Sequence, residues 1–273
     1  MLASLLLSLR EGLEAALIIG IVLGVLRRTN QSEYIPQVWR GAVSAGLLSL
    51  LLAIFLSIIG AEFEGNGEVI FEGTTMLLAA GLLTWMVFWM QKQARGRKSN
   101  IENEILQAAQ QRGKSAIFLV AFLSILREGV ELAVFLLAAR LETNPLDTIL
   151  GGATGLAGAG LLGLLAFRTT HRLSLKNVFR VSNVFLALFA AGLVGNGVHE
   201  FIEIGWIPSL VAPVWNITGL LPAQSGPGIF LKAVFGYNGS PALSEVIAYL
   251  GYFVLLILGW RYSLSKAAIP TGA

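Results

Sequence analysis

The sequence predicts an all-α, polytopic membrane protein of about seven transmembrane helices: two inverted three-helix repeats followed by a seventh helix. Three observations predict it. The 273 residues are 55% hydrophobic and only 13% charged, with a mean hydropathy of +0.74, a balance foreign to ordinary soluble domains. Apolar runs of bilayer-crossing length recur between charged connections. The phrase Arg10-Glu11-Gly12-Leu13-Glu14 returns 117 positions later as Arg127-Glu128-Gly129-Val130-Glu131, each time inside such a run.

The spans are expected at about 3–26, 40–60, 71–91, 115–139, 148–168, 181–198 and 244–263. Each is close to the roughly 17 to 25 residues a bilayer requires. No Lys or Arg precedes the first run, which continues past Glu14 to Leu26; that is too long for a signal-peptide core, so a retained helix is expected. Small residues recur every four positions in span two (Gly41, Ala45, Ser49, Ala53, Ser57) and span five (Gly151, Gly155, Ala159, Gly163). Such ridges let helix backbones approach closely in lipid and read as scaffold. Span three opens on Phe71-Glu72-Gly73, and Trp85, Phe88 and Trp89 near its inner end read as an interfacial belt.

Between spans three and four, Ile101 to Arg112 reads as a short amphipathic helix with Ile101, Ile105 and Ala108 on one face. Span six ends in His199, Glu200 and Glu203, where His199 offers a transient metal contact or an interfacial role. The stretch 199–243 is rich in Gly and Pro, including Gly226-Pro227-Gly228 and Gly236-Tyr237-Asn238-Gly239. It predicts broken or half-inserted helices capping the bundle. Glu245, after Ser244, suits the start of the last helix, where an acid meets the positive end of the dipole. The chain is thus one integral domain over 1–273: repeat one about 1–91, repeat two about 115–198, an external cap about 199–243 and the last helix about 244–263.

Fifteen of the nineteen Lys and Arg residues fall on one side of this layout, in the connections around 27–40, 92–114 and 168–180 and in the tail. The positive-inside rule then places the amino terminus outside and the carboxyl terminus in the cytoplasm of a plasma (inner) membrane. The net charge of +3 is spread over short loops and forms no basic face, which argues against nucleic acid. With no cysteine, thiolate metal sites, iron–sulfur clusters and cysteine nucleophiles are excluded; a metal must be held by oxygen or by His171 and His199.

An ionised carboxylate in hydrocarbon costs about 2.5 to 3.5 kcal/mol even on lenient insertion scales, and this chain carries four: Glu11, Glu14, Glu128 and Glu131. Within each repeat the two are three residues apart and share a helical face. Three spans per repeat invert the second copy, so the pairs can meet near the midplane, where protons, arginines or a multivalent cation must compensate them. Oxygen ligands suit hard ions such as ferric iron, magnesium, calcium and manganese and tolerate ferrous iron, so ligand type alone does not single out iron. Arg10 and Arg127 read as charge balancers, since guanidinium offers no lone pair. An ionic lock between these arginines and glutamates, with no ligand, is the plain alternative. Outside, Glu62, Glu64 and Glu68 in the connection before span three, then Glu72 at its head, form an acidic mouth that could concentrate cations.

At these residues the chain resembles the oxidase-dependent iron transporter, or high-affinity iron permease, family, whose signature is an Arg-Glu-Gly-Leu-Glu phrase in its first and fourth helices. Phe71-Glu72-Gly73, Leu83-Thr84-Trp85-Met86-Val87-Phe88-Trp89-Met90, His199-Glu200, Phe235-Gly236-Tyr237 and Ser244-Glu245-Val246 also look like family segments. The resemblance implies uptake of ferric or ferrous iron as transported substrate across a plasma membrane, with no organic cofactor and no enzymatic activity. It also implies the four repeat glutamates as iron-handling groups and an extracytoplasmic ferroxidase, cupredoxin-like or haem peroxidase partner. Glu72, His199 and Glu200 join the candidate metal ligands, reached from outside past Glu72. Other classes stay open: a proton-coupled carrier of another hard divalent metal such as manganese, an intramembrane carboxylate-bridged metalloenzyme, or an organic-cation carrier. The metalloenzyme lacks the expected Glu-X-X-His pairs, and the organic-cation carrier lacks aromatic residues near Glu11 and Glu14.

Overall fold

The computed structural model describes residues 1–93, 97–168, 175–222 and 225–267. All regular structure among them is helical: α1 (Leu2–Arg28), α2 (Ile35–Glu62), α3 (Asn66–Gln93), α4 (Arg97–Glu142), α5 (Pro145–Arg168), α6 (Leu175–Glu203), α7 (Gly226–Phe235) and α8 (Leu243–Ala267), with one 3-10 turn at Ser32–Tyr34. His171 and Arg172, and Arg95 in the connection before α4, lie outside the described residues.

Five segments are long and apolar enough to cross a membrane: Ser32–Glu62, Asn66–Trp89, Pro145–Leu165, Val181–Glu203 and Leu243–Arg261. The expected first and fourth spans, in α1 and α4, have the length but not the composition, because each carries an arginine and two glutamates midway. The physical reason is burial. Arg10, Glu11, Glu14, Glu128 and Glu131 are buried in protein and Arg127 is half-buried, which keeps these groups out of the lipid.

Several boundaries differ from expectation. Glu62 closes α2 and Glu68 sits in the first turn of α3, so the loop expected to hold them shrinks to Phe63–Gly65. Glu68 there faces the positive end of the helix dipole. The expected break before the fourth span falls inside α4 at Gly113, whose φ of 61° and ψ of −141° lie in a region open only to glycine. Residues 101–112 form the helical stretch before it; which face they bury lies outside the described side chains. Of the expected cap, α6 takes in the first residues to Glu203, and Gly226–Phe235 forms a further helix, with Ser225 capping its start through Gly228 N–H. Much of the rest is irregular chain in which 211–217 runs beside 239–243, through Val214 N–H to Pro241 O, Ile217 N–H to Gly239 O and Leu243 N–H to Val211 O.

The chain forms two compact units, each built from separate stretches: 1–59 with 93–182, and 60–92 with 183–273. In the first, α1 packs on α5 and α4. The small-residue ridges make the closest contacts. A Cβ built on Gly151 would lie 2.9 Å from Ser4 Cβ, one on Gly155 2.8 Å from Ser8 Cβ, and one on Gly163 2.9 Å from Ala16 Cβ. One on Gly12 would lie 2.6 Å from Ala159 Cβ. The α2 ridge meets α4 in the same register: a Cβ on Gly41 would lie 3.1 Å from Ala121 Cβ, and one on Gly129 2.6 Å from Ser49 Cβ. Ala42, Ala45 and Ile125 are buried in the same seam. Thus the glycine of each Arg-Glu-Gly-X-Glu phrase is the point where another helix's ridge touches down. Close approach of this kind is the use expected of small residues in lipid.

In the second unit, α3 and α6 cross at Gly73 and Gly197: a Cβ on either would lie 3.2 Å from the other's carbonyl oxygen. Thr84 and Tyr252 join α3 to α8 through their hydroxyls, 3.1 Å apart. Of the aromatic run, Trp85 faces outward and stacks on Trp89, while Phe88 turns inward against Gly259.

Candidate metal-binding site

The first unit gathers the repeated phrases. Glu11 and Glu14 stand one turn apart on α1, Glu128 and Glu131 one turn apart on α4, and these helices pack directly. Glu11, Glu128 and Glu131 are buried, and one carboxylate oxygen from each lies within 4.8 Å of the others. Among the described residues this is the group of acids and histidines close enough to share an ion. Glu14 is also buried and lies near Glu128, but it stands outside the group of three.

The arginines treat the two pairs differently. Arg10, 1% exposed, bridges both glutamates of its own helix: Nη1 is 2.5 Å from Glu11 Oε1 and Nη2 is 2.9 Å from Glu14 Oε1. Arg127 reaches Glu131 Oε1 through Nε at 3.0 Å, and 37% of its side chain remains exposed. Glu11 Oε2 is buried without a hydrogen-bond partner among the described residues. Left ionised, a carboxylate oxygen in such a place forgoes water and gains no donor, at a cost of about 1 to 3 kcal/mol or more for a charged group; Glu128 lies within hydrogen-bonding reach of Glu11, so a proton shared between them also meets the need. A hard cation meets that need directly, because carboxylate oxygens are its preferred ligands. The ionic lock is therefore real at Arg10, yet it leaves oxygens from three glutamates turned toward one another.

The second unit holds the other candidates. His199 lies between two carboxylates: Nδ1 is 2.8 Å from Glu245 Oε1 and Nε2 is 3.4 Å from Glu203 Oε1. Glu245 Oε1 also accepts from the backbone N–H of Ala242 at 3.0 Å, and Oε2 accepts from Asn238 Nδ2 at 2.9 Å. The helix-start reading of Glu245 holds, since it stands in the first turn of α8 and reaches back to the backbone N–H of Ala242 just before it. It also ties α8 to α6 through His199, a role invisible in sequence because the partners are 46 residues apart. Glu200 is half-buried where α6 meets Gly73. Glu72 is half-buried near Glu68 and Glu203, while Glu62, Glu64 and Glu68 are exposed. Glu72, His199 and Glu200 belong to the second unit, and the group of three carboxylates is formed within the first.

Ser49 and Ala159 carry no mark in the residue pattern of being neighbours of the phrases. Their place in the two ridges was the available signal, but only packing pairs Ser49 with Gly129 and Ala159 with Gly12.

Comparison with known proteins agrees in kind. Residues 1–270 match the family described as iron permease FTR1. Over 257 residues the chain is 35% identical to proteins named ferrous iron permease EfeU from Escherichia coli O6:K15:H31 (strain 536 / UPEC) and Shigella sonnei (strain Ss046), covering 93% of each chain. A Yersinia pestis protein of the same name is 34% identical over 256 residues, covering 93% of this chain and 91% of its own. No solved structure matches the chain.

Proposed function

The chain belongs to the iron permease FTR1 family, a multi-pass membrane transporter of iron and not an enzyme, and we propose that it takes up ferrous iron through a site formed by Glu11, Glu128 and Glu131. The observation that carries this reading is the convergence of three buried carboxylates, with their oxygens within 4.8 Å, around Glu11 Oε2. Charge supports the oxidation state. Four carboxylates and two guanidiniums leave a formal charge of minus two, which one divalent ion neutralises and a trivalent ion overshoots. The name ferrous iron permease carried by the relatives points the same way.

The repeats supply a route for alternating access. Gly41 on Ala121 and Ser49 on Gly129 repeat as Gly151 on Ser4 and Ala159 on Gly12, each first helix meeting the other repeat's second helix at equivalent positions. Such a pairing fits two inverted three-helix repeats that rock about a shared site near the bilayer midplane. The basic-residue count favours an outside amino terminus and a cytoplasmic carboxyl terminus. Glu62, Glu64, Glu68 and Glu72 then lie outside, where they raise the local cation concentration. An extracytoplasmic ferroxidase, cupredoxin-like or haem peroxidase partner belongs to the same reading, as a supplier or converter of iron.

The test is uptake of radioactive ferrous iron into proteoliposomes under reducing conditions, comparing the parent with Glu128→Gln and Glu131→Gln and competing with manganese and zinc. Loss of uptake in both variants, with unchanged chromatographic and melting behaviour, is expected. Undiminished uptake in both would remove the site from the mechanism.

A further inference from the structure

The two phrases are chemically alike but not placed alike. At equivalent positions, Arg10 is sealed in protein with Nη1 and Nη2 on Glu11 and Glu14, whereas Arg127 holds Glu131 through Nε and stays more than a third exposed. The outcome differs too: Glu131 joins the group of three carboxylates and Glu14 does not, although Glu14 lies near Glu128. A permanent guanidinium beside a cation site is itself a cation competing for the same oxygens, and it can never become a ligand.

We propose that Arg10 is a resident counter-cation that withholds Glu14 from the ion, so that Glu14 is an exchangeable fourth ligand while Glu11, Glu128 and Glu131 bind the ion at rest. The proposal rests on the three-carboxylate reading above and assigns its fourth glutamate a separate role. As the bound ion leaves this resting position during transport, its two charges weaken the hold of Arg10, and Glu14 moves transiently from guanidinium to metal. The return of Glu14 to Arg10 then helps to expel the ion. Arg10 is accordingly a positioning residue: it sets when Glu14 is available, and exchange of one cation for another keeps the buried carboxylates compensated throughout.

Binding and transport must therefore respond differently at the same residue. With the full-length protein in nanodiscs, binding of manganese(II) and of anaerobic iron(II) is measured by calorimetry, and uptake is measured in proteoliposomes. Glu14→Gln is expected to leave the dissociation constant within about threefold of the parent while slowing maximal uptake about tenfold or more. Glu128→Gln is expected to weaken binding by at least about tenfold, in line with the loss of one first ligand. Arg10→Lys keeps the charge but loses the two-pronged grip, so it is expected to lower both the dissociation constant and the maximal rate. It serves as the second variant should Glu14→Gln fail to fold. Binding lost equally in Glu14→Gln and Glu128→Gln would overturn the exchange role and leave the site standing. Binding unchanged in Glu128→Gln would overturn the site itself. Arg10→Lys with parental binding and parental uptake overturns the counter-cation.

Discussion

Replacing Gly12 by alanine tests how the helix contact governs the site. A Cβ there would stand 2.6 Å from Ala159 Cβ, against the roughly 3.5 to 4.0 Å of a relaxed carbon–carbon contact. Helix α1 must therefore withdraw from α5 by about 1 Å or distort. Alanine gains about 1 kcal/mol of helix propensity over glycine, but overpacking costs about 1 to 3 kcal/mol, so the net change in stability is small or unfavourable. The larger effect falls on geometry. Glu11 is the adjacent residue, and metal–ligand distances tolerate only about 0.2 Å. A shift of that size should cost about 10- to 100-fold in metal affinity, as loss of a supporting contact does elsewhere. Ferrous iron uptake and manganese(II) calorimetry on Gly12→Ala should both show the loss. Adding Ala159→Gly removes the opposing Cβ and should recover most of it, since contacting residues couple by about 0.5 to 3 kcal/mol. Parental uptake in the folded single variant, or a folded double variant no better than the single, would refute the reasoning.

The equivalent contact makes the matching prediction: Gly129→Ala, whose Cβ would fall 2.6 Å from Ser49 Cβ, should lose uptake and regain it with Ser49→Gly. Glu245→Ala removes the partner of His199, Asn238 and the Ala242 N–H; thermal unfolding should report a loss of about 1 to 3 kcal/mol with metal binding unchanged. Gly113→Ala should destabilise the chain by about 1 to 3 kcal/mol, because φ 61° with ψ −141° is open only to glycine. Because carboxylate ligands must be deprotonated, metal affinity should fall as pH is lowered; titrating manganese(II) binding between about pH 7.5 and 5 checks the sign, and affinity that rises on acidification contradicts a carboxylate site.

Much of this protein was legible in its residues. Apolar runs of fixed length dictate membrane helices because an unpaired backbone group has no partner in lipid, and the spans drawn from them overlap the helices found. The repeated phrase marked its four glutamates because charge inside an apolar run is too costly to be incidental. What periodicity could not supply was which of the four come together and which arginine holds which acid. That depends on rotamers and on approaches between helices far apart in sequence: Gly12 on Ala159, Gly129 on Ser49, Arg10 across Glu11 and Glu14. His199 shows the same limit. Its residue type suggested a metal contact, and only the folded chain brings Glu245 to one ring nitrogen while Glu203 faces the other. The sequence by itself determined solvent, helix content and the ionisable groups that needed an explanation, because those follow from local hydropathy and spacing. Tertiary structure alone decided that carboxylates from α1 and α4 share one buried place, because that meeting is set between segments more than a hundred residues apart.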